Sequence, residues 1–177
     1  CKNKNNVRLH NHVINRGYAH ATISCLREAR GDIIFIIDSD GQHAMSDIPL
    51  FLEKIKSGAD VVVGWKKERN DPFIRVLLSR VYNLIFRICF PLGLHDVDCG
   101  FRCFIKDVAK KITIHHLDVP VGPEVFAQAY ANKWRVEEVE VIHYPRDFGE
   151  SVFQPLKMPS VISRSLLSLL RLKREYS

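Results

Sequence analysis

Apolar positions along the chain follow two patterns, short unbroken runs and longer stretches in which they return every three or four residues. Val7 to Ile14 is rich in β-branched and apolar residues and stops at Asn15-Arg16-Gly17, which predicts a strand closed by a turn. A helical pattern follows from Tyr18 to Ala29, and Gly31-Asp32 breaks it. Ile33 to Ile37 is then continuously apolar, as a central strand buried on both faces should be, and Asp38 ends it abruptly. Ser46-Asp47-Ile48-Pro49 offers a cap and an early proline for a helix to about Lys56, and Asp60 to Gly64 reads as the next buried strand. Alternation of strands and helices predicts an α/β fold built on a mostly parallel, doubly wound sheet with flanking helices.

The longest helical pattern runs from about Phe73 to Phe90, with Ser79, Arg80, Asn83 and Arg87 on one polar stripe and apolar residues on the other faces. Gly100 to Ile105 predicts a strand, Glu124 to Asn132 a helix, and Val136 to Tyr144 a strand with partial alternation before the turn-rich Pro145 to Gln154. A basic amphipathic helix from about Ser160 to Arg174 closes the chain, with Lys157, Ser160, Arg164, Ser168 and Arg171 expected opposite Val161, Ile162, Leu166, Leu169 and Leu170. The division that follows is one α/β domain over residues 1–154 and an appended helix over 155–177 suited either to a membrane surface or to ordinary packing. Neither an internal repeat nor a low-complexity tract is present.

Composition narrows this picture. With 177 residues, 46% of them hydrophobic, the chain can bury one sizeable core. A net charge of +6 favours anionic partners: phosphate-bearing small molecules, acidic lipid surfaces or nucleic acid. The five cysteines are odd in number and form no C-x-x-C pair, against a complete disulfide framework or a zinc ribbon and in favour of a reducing compartment. The eight histidines show no H-x-x-x-H spacing and are assigned no ligand role, although His43 and His143 could lie near the candidate site. No signal-peptide pattern opens the chain, and the most apolar windows, Ile74 to Leu92 and Val161 to Leu172, are interrupted by arginines that are costly in hydrocarbon, so interfacial or core helices fit them better. Without an initiator methionine, the chain is expected to be a piece of a longer protein.

Candidate chemistry gathers at Asp38-Ser39-Asp40, where the central strand ends. Ligands of open α/β sheets collect beyond the carboxyl ends of the strands. A nucleotide diphosphate repels a bare carboxylate, whereas a divalent cation bridging Asp40 and the diphosphate reverses the sign of the interaction. Asp38 would then reach the ribose or a metal-bound water, and Gln42 could add a neutral oxygen. Against this stands the plain alternative that both aspartates only solvate a strand end. Asp96 and Asp98, beside Gly93 and Gly100, fit turn positions equally well. Glu124 suits a helix start. Lys66, Lys67 and Arg69 form a basic loop that is either a solvated face or a phosphate contact.

Taken in order, Asn15-x-Gly17, Ala29-x-Gly31-Asp32, the apolar strand, Asp38-x-Asp40-x-Gln42 and Val63-Gly64-Trp65-Lys66 resemble the family-2 glycosyltransferases of GT-A fold. Arg69-x-Asp71-Pro72, Ser79-Arg80-x-x-Asn83, Asp96-x-x-Cys99-Gly100-Phe101-Arg102 and Pro145-Arg146-x-x-Gly149-x-Ser151 are similar to the branch with dolichyl-phosphate mannose synthase and bacterial polyprenyl-phosphate glycosyltransferases. The resemblance covers nearly the whole chain. It implies an inverting hexosyltransferase that uses Mg²⁺ or Mn²⁺, takes a UDP- or GDP-linked sugar and delivers it to a dolichyl or undecaprenyl phosphate. It further implies that Asp38, Gly64, Lys66 and Ser151 serve the donor, that Asp40 and Gln42 hold the metal, and that Asp40, Asp96 and Arg146 act in transfer. Arg146 and Ser151 would hold phosphate on a loop that closes over the site. Two departures stand out: Val152 occupies a position where the family usually has lysine, and the family's opening strand, which holds the nucleobase, is absent.

The implied partners are the nucleotide sugar, polyprenyl phosphate and an anionic membrane surface, with the protein peripheral on the cytoplasmic face. Nucleic acid is not expected, because no recognition helix, zinc finger or aromatic RNA-binding signature is present. The principal alternative is a relative that glycosylates a sugar hydroxyl in polysaccharide or glycolipid synthesis; a non-catalytic, partnered fragment is another. Acceptor chemistry separates the first two. A hydroxyl must lose its proton to a positioned carboxylate, whereas a phosphate monoester, with a second pKa of roughly 6, is already anionic at neutral pH.

Overall fold

The computed structural model describes residues 7–67, 73–117, 120–145 and 158–176. Four strands form one sheet: β1 (Ile33–Ile36), β2 (Val61–Trp65), β3 (Arg102–Ile105) and β4 (Val136–Glu140), in the order β1-β3-β2-β4. β2 and β4 pair in parallel, with Val63 opposite Glu138, while β3 runs antiparallel to both β1 and β2, with Phe104 opposite Ile34 and Cys103 opposite Val62. β1, β2 and β4 therefore share one direction, as the alternation predicts, but β1 stands at the edge of the described sheet with Ile33 38% exposed, not at its centre as the unbroken run from Ile33 to Ile37 predicts. β3 is inserted between the two strands that the apolar runs mark most clearly, so their carboxyl ends stand apart with a gap to be bridged.

The helices are α1 (Tyr18–Glu28), α2 (Ile48–Lys56), α3 (Phe73–Cys89), α4 (Lys106–Ala109), α5 (Val121–Ala131) and α6 (Met158–Tyr176). Val61, Val62 and Val63 are wholly buried, which accounts for the unbroken apolar run of β2. Phe51 from α2 stacks on Phe101 at 4.3 Å between ring centroids and meets Phe35 of β1 at 5.8 Å, so one aromatic cluster closes the layer between helix and sheet. Leu169 and Leu172 bring α6 into the same core. Lys173 fastens it further: its Nζ donates to the Cys89 carbonyl at the end of α3 (2.8 Å) and lies over the rings of Phe90 and Tyr130. A lysine at that place offsets the negative end of the α3 dipole.

Three expectations change. Val7 to Ile14 is not a strand; it pairs with no edge among the described residues and leaves Leu9 88% and Val13 100% exposed. β propensity favours a pleated, half-buried surface, and without a partner strand it has nothing to act on. Second, neither Ser46 nor Asp47 caps α2 through its side chain. A 3-10 turn, Met45–Asp47, leads into the helix, Pro49 sits in its first turn, and the buried Asp47 carboxylate accepts the backbone N–H of Ile142 instead (2.9 Å). Third, the faces of α6 are rotated from those expected: Ser168 is buried, its Oγ donating to the Ser165 carbonyl, while Leu170 is 65% exposed. α5 starts three residues before the predicted Glu124, which lies in its first turn, is fully buried and accepts the backbone N–H groups of His115 and His116.

Removing Phe51 would leave a cavity at the junction of α2, β1 and Phe101. Phe51→Ala should cost about 3–5 kcal/mol in urea denaturation. Leu170→Ala, on the exposed face of α6, should stay within about 0.5 kcal/mol of the parent.

Candidate functional site

Beyond Ile36 the chain leaves the sheet, and Asp38 turns its carboxylate onto Gly100, just before β3. A Cβ built on Gly100 would lie 2.0 Å from Asp38 Oδ2 and 2.5 Å from its carboxyl carbon. No side chain larger than hydrogen leaves Asp38 in place, which gives Gly100 a reason that turn chemistry alone would not supply. Asp40 Oδ1 accepts the Gln42 backbone N–H (3.2 Å), and Gln42 Nε2 donates to the Tyr144 carbonyl (3.2 Å) while the Tyr144 N–H returns to the Gln42 carbonyl (3.0 Å). The loop after β1 is thus tied to the segment after β4, where His43 and His143 form a backbone bridge.

Lys66, just beyond β2, closes the second half of the site. Its Nζ lies 3.5 Å from Asp96 Oδ2, with the side chains 13% and 3% exposed. His43 senses the whole group. Its pKa is lowered first by burial and then by the Lys66 charge, against the opposing pull of Asp38, Asp40 and Asp96. Tyr18, at the start of α1, feels the same charges although it is 47% exposed: partial loss of hydration raises its phenol pKa, Arg102 opposes the rise, and Asp38 and Asp98 add to it. The structure therefore brings Asp38, Asp40, Lys66 and Asp96 to one side of the molecule, around the carboxyl ends of β1 and β2.

The Lys66–Asp96 pair also lines a cleft of about 580 Å³ between the end of β2 and α3. Trp65, Lys66, Lys67 and Asp96 form one wall, and Ser79, Arg80, Asn83 and Arg87 of α3 form the facing one. The predicted polar stripe of α3 lines this cleft together with Val76, Val81 and Leu84, and Arg80 in it is exposed. The helix also exposes apolar residues: Ile74, Leu77, Val81, Leu84 and Ile88 are between 43% and 74% exposed.

Gly64 lies in β2, where an added Cβ would meet Val141 at 3.0 Å and Cys99 Sγ at 3.1 Å, so close packing already calls for glycine there. Arg146 and Ser151 lie outside the described residues, as do Arg69, Asp71, Pro72, Gly149 and Val152. His43 lies near the site, as expected, among the charges of Asp38, Asp40, Lys66 and Asp96. Arg102, which the sequence marks only as the last residue of the Asp96-x-x-Cys99-Gly100-Phe101-Arg102 motif and gives no role of its own, is 2% exposed on β3, and its Nε has no hydrogen-bond partner among the described residues. Burial pushes the Cys99 thiol up to about 11 and the Cys103 thiol up to about 12, so neither is a poised nucleophile.

Among the described residues no three His, Cys, Asp or Glu side chains converge as a metal cage. Carboxylate oxygens of Asp38 and Asp40 and the amide oxygen of Gln42 are hard donors suited to Mg²⁺ or Mn²⁺. Such a sparse set fits a cation that draws its remaining ligands from a bound diphosphate and water, which is the usual habit of Mg²⁺.

Residues 1–113 match the profile described as glycosyl transferase family 2, and the chain belongs to that family. An undecaprenyl-phosphate 4-deoxy-4-formamido-L-arabinose transferase of Pectobacterium atrosepticum is 28% identical over 82% of this chain and 44% of its own length. A dolichol-phosphate mannosyltransferase of Pyrococcus furiosus is 28% identical over 76% of the chain and 38% of its own. The chain thus spans less than half the length of these relatives. Among solved structures, glucosyl-3-phosphoglycerate synthase of Mycobacterium tuberculosis aligns with a TM-score of 0.66 and 18% identity, over 90% of this chain and 56% of its own. Other crystals of that enzyme contain Mn²⁺ with UDP-glucose, or Mg²⁺ with UDP. The GT-A fold expected from the sequence is therefore present.

Gly100→Ala should displace Asp38 while leaving the core intact. With Mn²⁺ present, calorimetric titration of UDP or GDP, whichever the parent binds, should show affinity weakened by at least about tenfold, or 1.4 kcal/mol. An unchanged affinity would remove Asp38 from the nucleotide site.

Proposed function

We propose that the complete protein transfers a sugar from a nucleotide diphosphate to a polyprenyl phosphate, with inversion at the anomeric carbon. The observation that carries this reading is the Lys66–Asp96 pair, which adjoins both the Asp38–Asp40 strand end and the cationic cleft beside α3. Two anionic substrates need separate cationic environments on opposite sides of one sugar. A metal at Asp40 and Gln42 supplies the first, and Lys66, Arg80 and Arg87 supply the second. The relatives named for undecaprenyl and dolichol phosphates support this choice of acceptor.

In the proposed reaction an oxygen of the acceptor phosphate attacks the anomeric carbon as the bond from that carbon to the donor diphosphate breaks. The new bond joins sugar to acceptor phosphate, and the nucleoside diphosphate leaves with the bonding electrons. A divalent cation, when bound, offsets the charge developing on that leaving group. No proton has to be removed from a phosphate monoester at neutral pH. Asp96, engaged by Lys66, therefore orients that ammonium towards the entering phosphate rather than serving as a base. Arg146 would add a planar pair of donors to the same phosphate, and Ser151 a hydroxyl. Positioning of the nucleophile then does what proton abstraction does for a hydroxyl acceptor.

The acceptor's lipid places this chemistry at a membrane surface. None of the described helices is long and apolar enough to cross a bilayer. On α3 the exposed apolar residues recur at alternating three- and four-residue steps, beside the arginines of the cleft. On α6, exposed Leu167 and Leu170 lie among exposed Arg164, Arg171 and Arg174. Apolar side chains next to cations suit the headgroup layer of an anionic leaflet, and a cytoplasmic leaflet is the one that carries such charge.

Incubating the complete protein with labelled nucleotide sugar and Mg²⁺ or Mn²⁺ should give product from polyprenyl phosphate and not from the matching polyprenol. Asp40→Asn should lower that turnover by about 10²-fold or more; efficient transfer to the alcohol would establish the hydroxyl-acceptor alternative instead. In flotation with vesicles containing phosphatidylserine, Leu84→Glu combined with Ile88→Glu should weaken binding, and Leu167→Glu with Leu170→Glu should weaken it further. Binding unaltered by all four changes would rule out these helices as the membrane contact.

A further inference from the structure

Residues 91–101, which carry Asp96, form neither helix nor strand, yet Leu94, Val97, Cys99 and Phe101 in them are at most 2% exposed. A buried stretch without regular structure must still satisfy its backbone donors. Here four successive N–H groups are taken by side chains. Glu138 of β4 accepts the first two, through one oxygen: His95 N lies 2.7 Å and Asp96 N 3.0 Å from Oε1. Asn83 of α3 accepts the third, with its Oδ1 3.0 Å from Val97 N, and Asp96 accepts the fourth, with its own Oδ1 3.3 Å from Asp98 N.

The other Glu138 oxygen, Oε2, lies 2.8 Å from His95 Nδ1. A carboxylate can only accept, so the imidazole carries its hydrogen on Nδ1. Held in that tautomer, the His95 ring stacks on Trp65 at 4.4 Å between centroids and 21° between planes. Trp65 immediately precedes Lys66, the partner of Asp96. One carboxylate thus reaches both members of the ion pair, through the backbone of Asp96 on one side and through the His95–Trp65 stack on the other.

From this arrangement we infer that Glu138 is the positioning residue of the transfer site: it fixes the Asp96 backbone so that the Asp96–Lys66 pair faces the acceptor cleft. It makes no contact with substrate itself. Without it, the N–H groups of His95 and Asp96 lose their acceptor, and the loop relaxes until water or another group replaces it. Geometry rather than charge is the operative quantity, because both backbone bonds go to a single oxygen. Glutamine can present that same oxygen. Aspartate, shorter by one methylene, cannot reach both donors from β4.

The inference rests on the proposed transfer reaction, and the test separates the two. The complete protein is assayed with nucleotide sugar and polyprenyl phosphate; if the parent transfers only to another acceptor, the proposed acceptor fails and the Glu138 comparison proceeds with the acceptor that works. Glu138→Gln should keep kcat within about threefold of the parent, while Glu138→Ala and Glu138→Asp lower it by about tenfold or more, with donor KM little changed. In an Asp96→Asn background, Glu138→Ala should cause no further loss, since it acts through Asp96. Thermal unfolding checks that the variants compared are folded, and should Glu138→Ala unfold, Glu138→Asp and Glu138→Gln carry the comparison alone. Equal losses in Glu138→Gln and Glu138→Asp would overturn the geometric role, and so would additive losses with Asp96→Asn.

Discussion

A lysine and an aspartate withdrawn together from water at the carboxyl end of β2 are the constraint around which this molecule is arranged. Lys66 and Asp96 are held in a place where each would be costly alone, and a buried pair is tolerable only when geometry is good and other polar atoms are satisfied. The surroundings meet that demand. Asp96 is fixed by its own backbone N–H to Glu138 and by its carboxylate to Asp98 N, so the charge cannot rotate away from the lysine. His43, buried against the same charges, has its pKa lowered by burial and by Lys66, and the neutral imidazole adds no further cation to balance. The sheet order contributes as well. With β3 between β1 and β2, the carboxylates after β1 and the lysine after β2 stand apart, and Gly100 lets Asp38 lean back into the gap.

The same demand explains the unusual orientation of α3. An amphipathic helix ordinarily turns its apolar stripe to the core and its polar stripe to water. Here Ser79, Arg80, Asn83 and Arg87 line the cleft, Asn83 bonds the Asp96 loop, and five large apolar residues stay exposed, Val81 and Leu84 at the cleft itself and Ile74, Leu77 and Ile88 beyond it. Phe86 and Phe90 anchor the helix from a third direction. A large exposed apolar surface marks a contact site. In the proposed reaction, whose acceptor carries a lipid tail, that surface lies beside the cations proposed to receive the acceptor phosphate, where the tail would enter.

Much of the fold was legible because its strongest signals are local. The apolar runs of β1 and β2, the glycine and aspartate that break the chain between elements, and the long period of α3 each placed an element within a residue or two. The site's acidic and basic residues were legible as well, through motif order. What escaped was non-local. Val7 to Ile14 has strand composition and lacks a neighbouring edge, and no local pattern reports a missing partner. The direction of β3 depends on the connection through residues 91–101, whose compactness comes from side chains 14 and 42 residues distant in sequence. Glu138 sits in a Val-Glu-Glu-Val-Glu run that reads as a solvated strand face, and only the fold reveals that its middle acid faces the loop. Likewise, Ser168 and Leu170 of α6 exchanged faces because the helix turns to bury Leu169 and Leu172 against α3 and α5.

Why a site of this kind uses an irregular loop, and not the next strand, follows from the distances involved. Strands end in one plane, and their side chains alternate between faces, so a strand can deliver a single residue towards a ligand above the sheet. The proposed transfer between two phosphates requires cations and carboxylates at several heights over that plane. A loop can supply them, at the cost of backbone groups that no ladder satisfies. Side-chain acceptors from rigid elements on both sides resolve the conflict: Glu138 from β4 and Asn83 from α3 hold the loop as firmly as a neighbouring strand would, while its carboxylates stay available to the site. Precision at the reacting atoms then depends on two residues that never touch them.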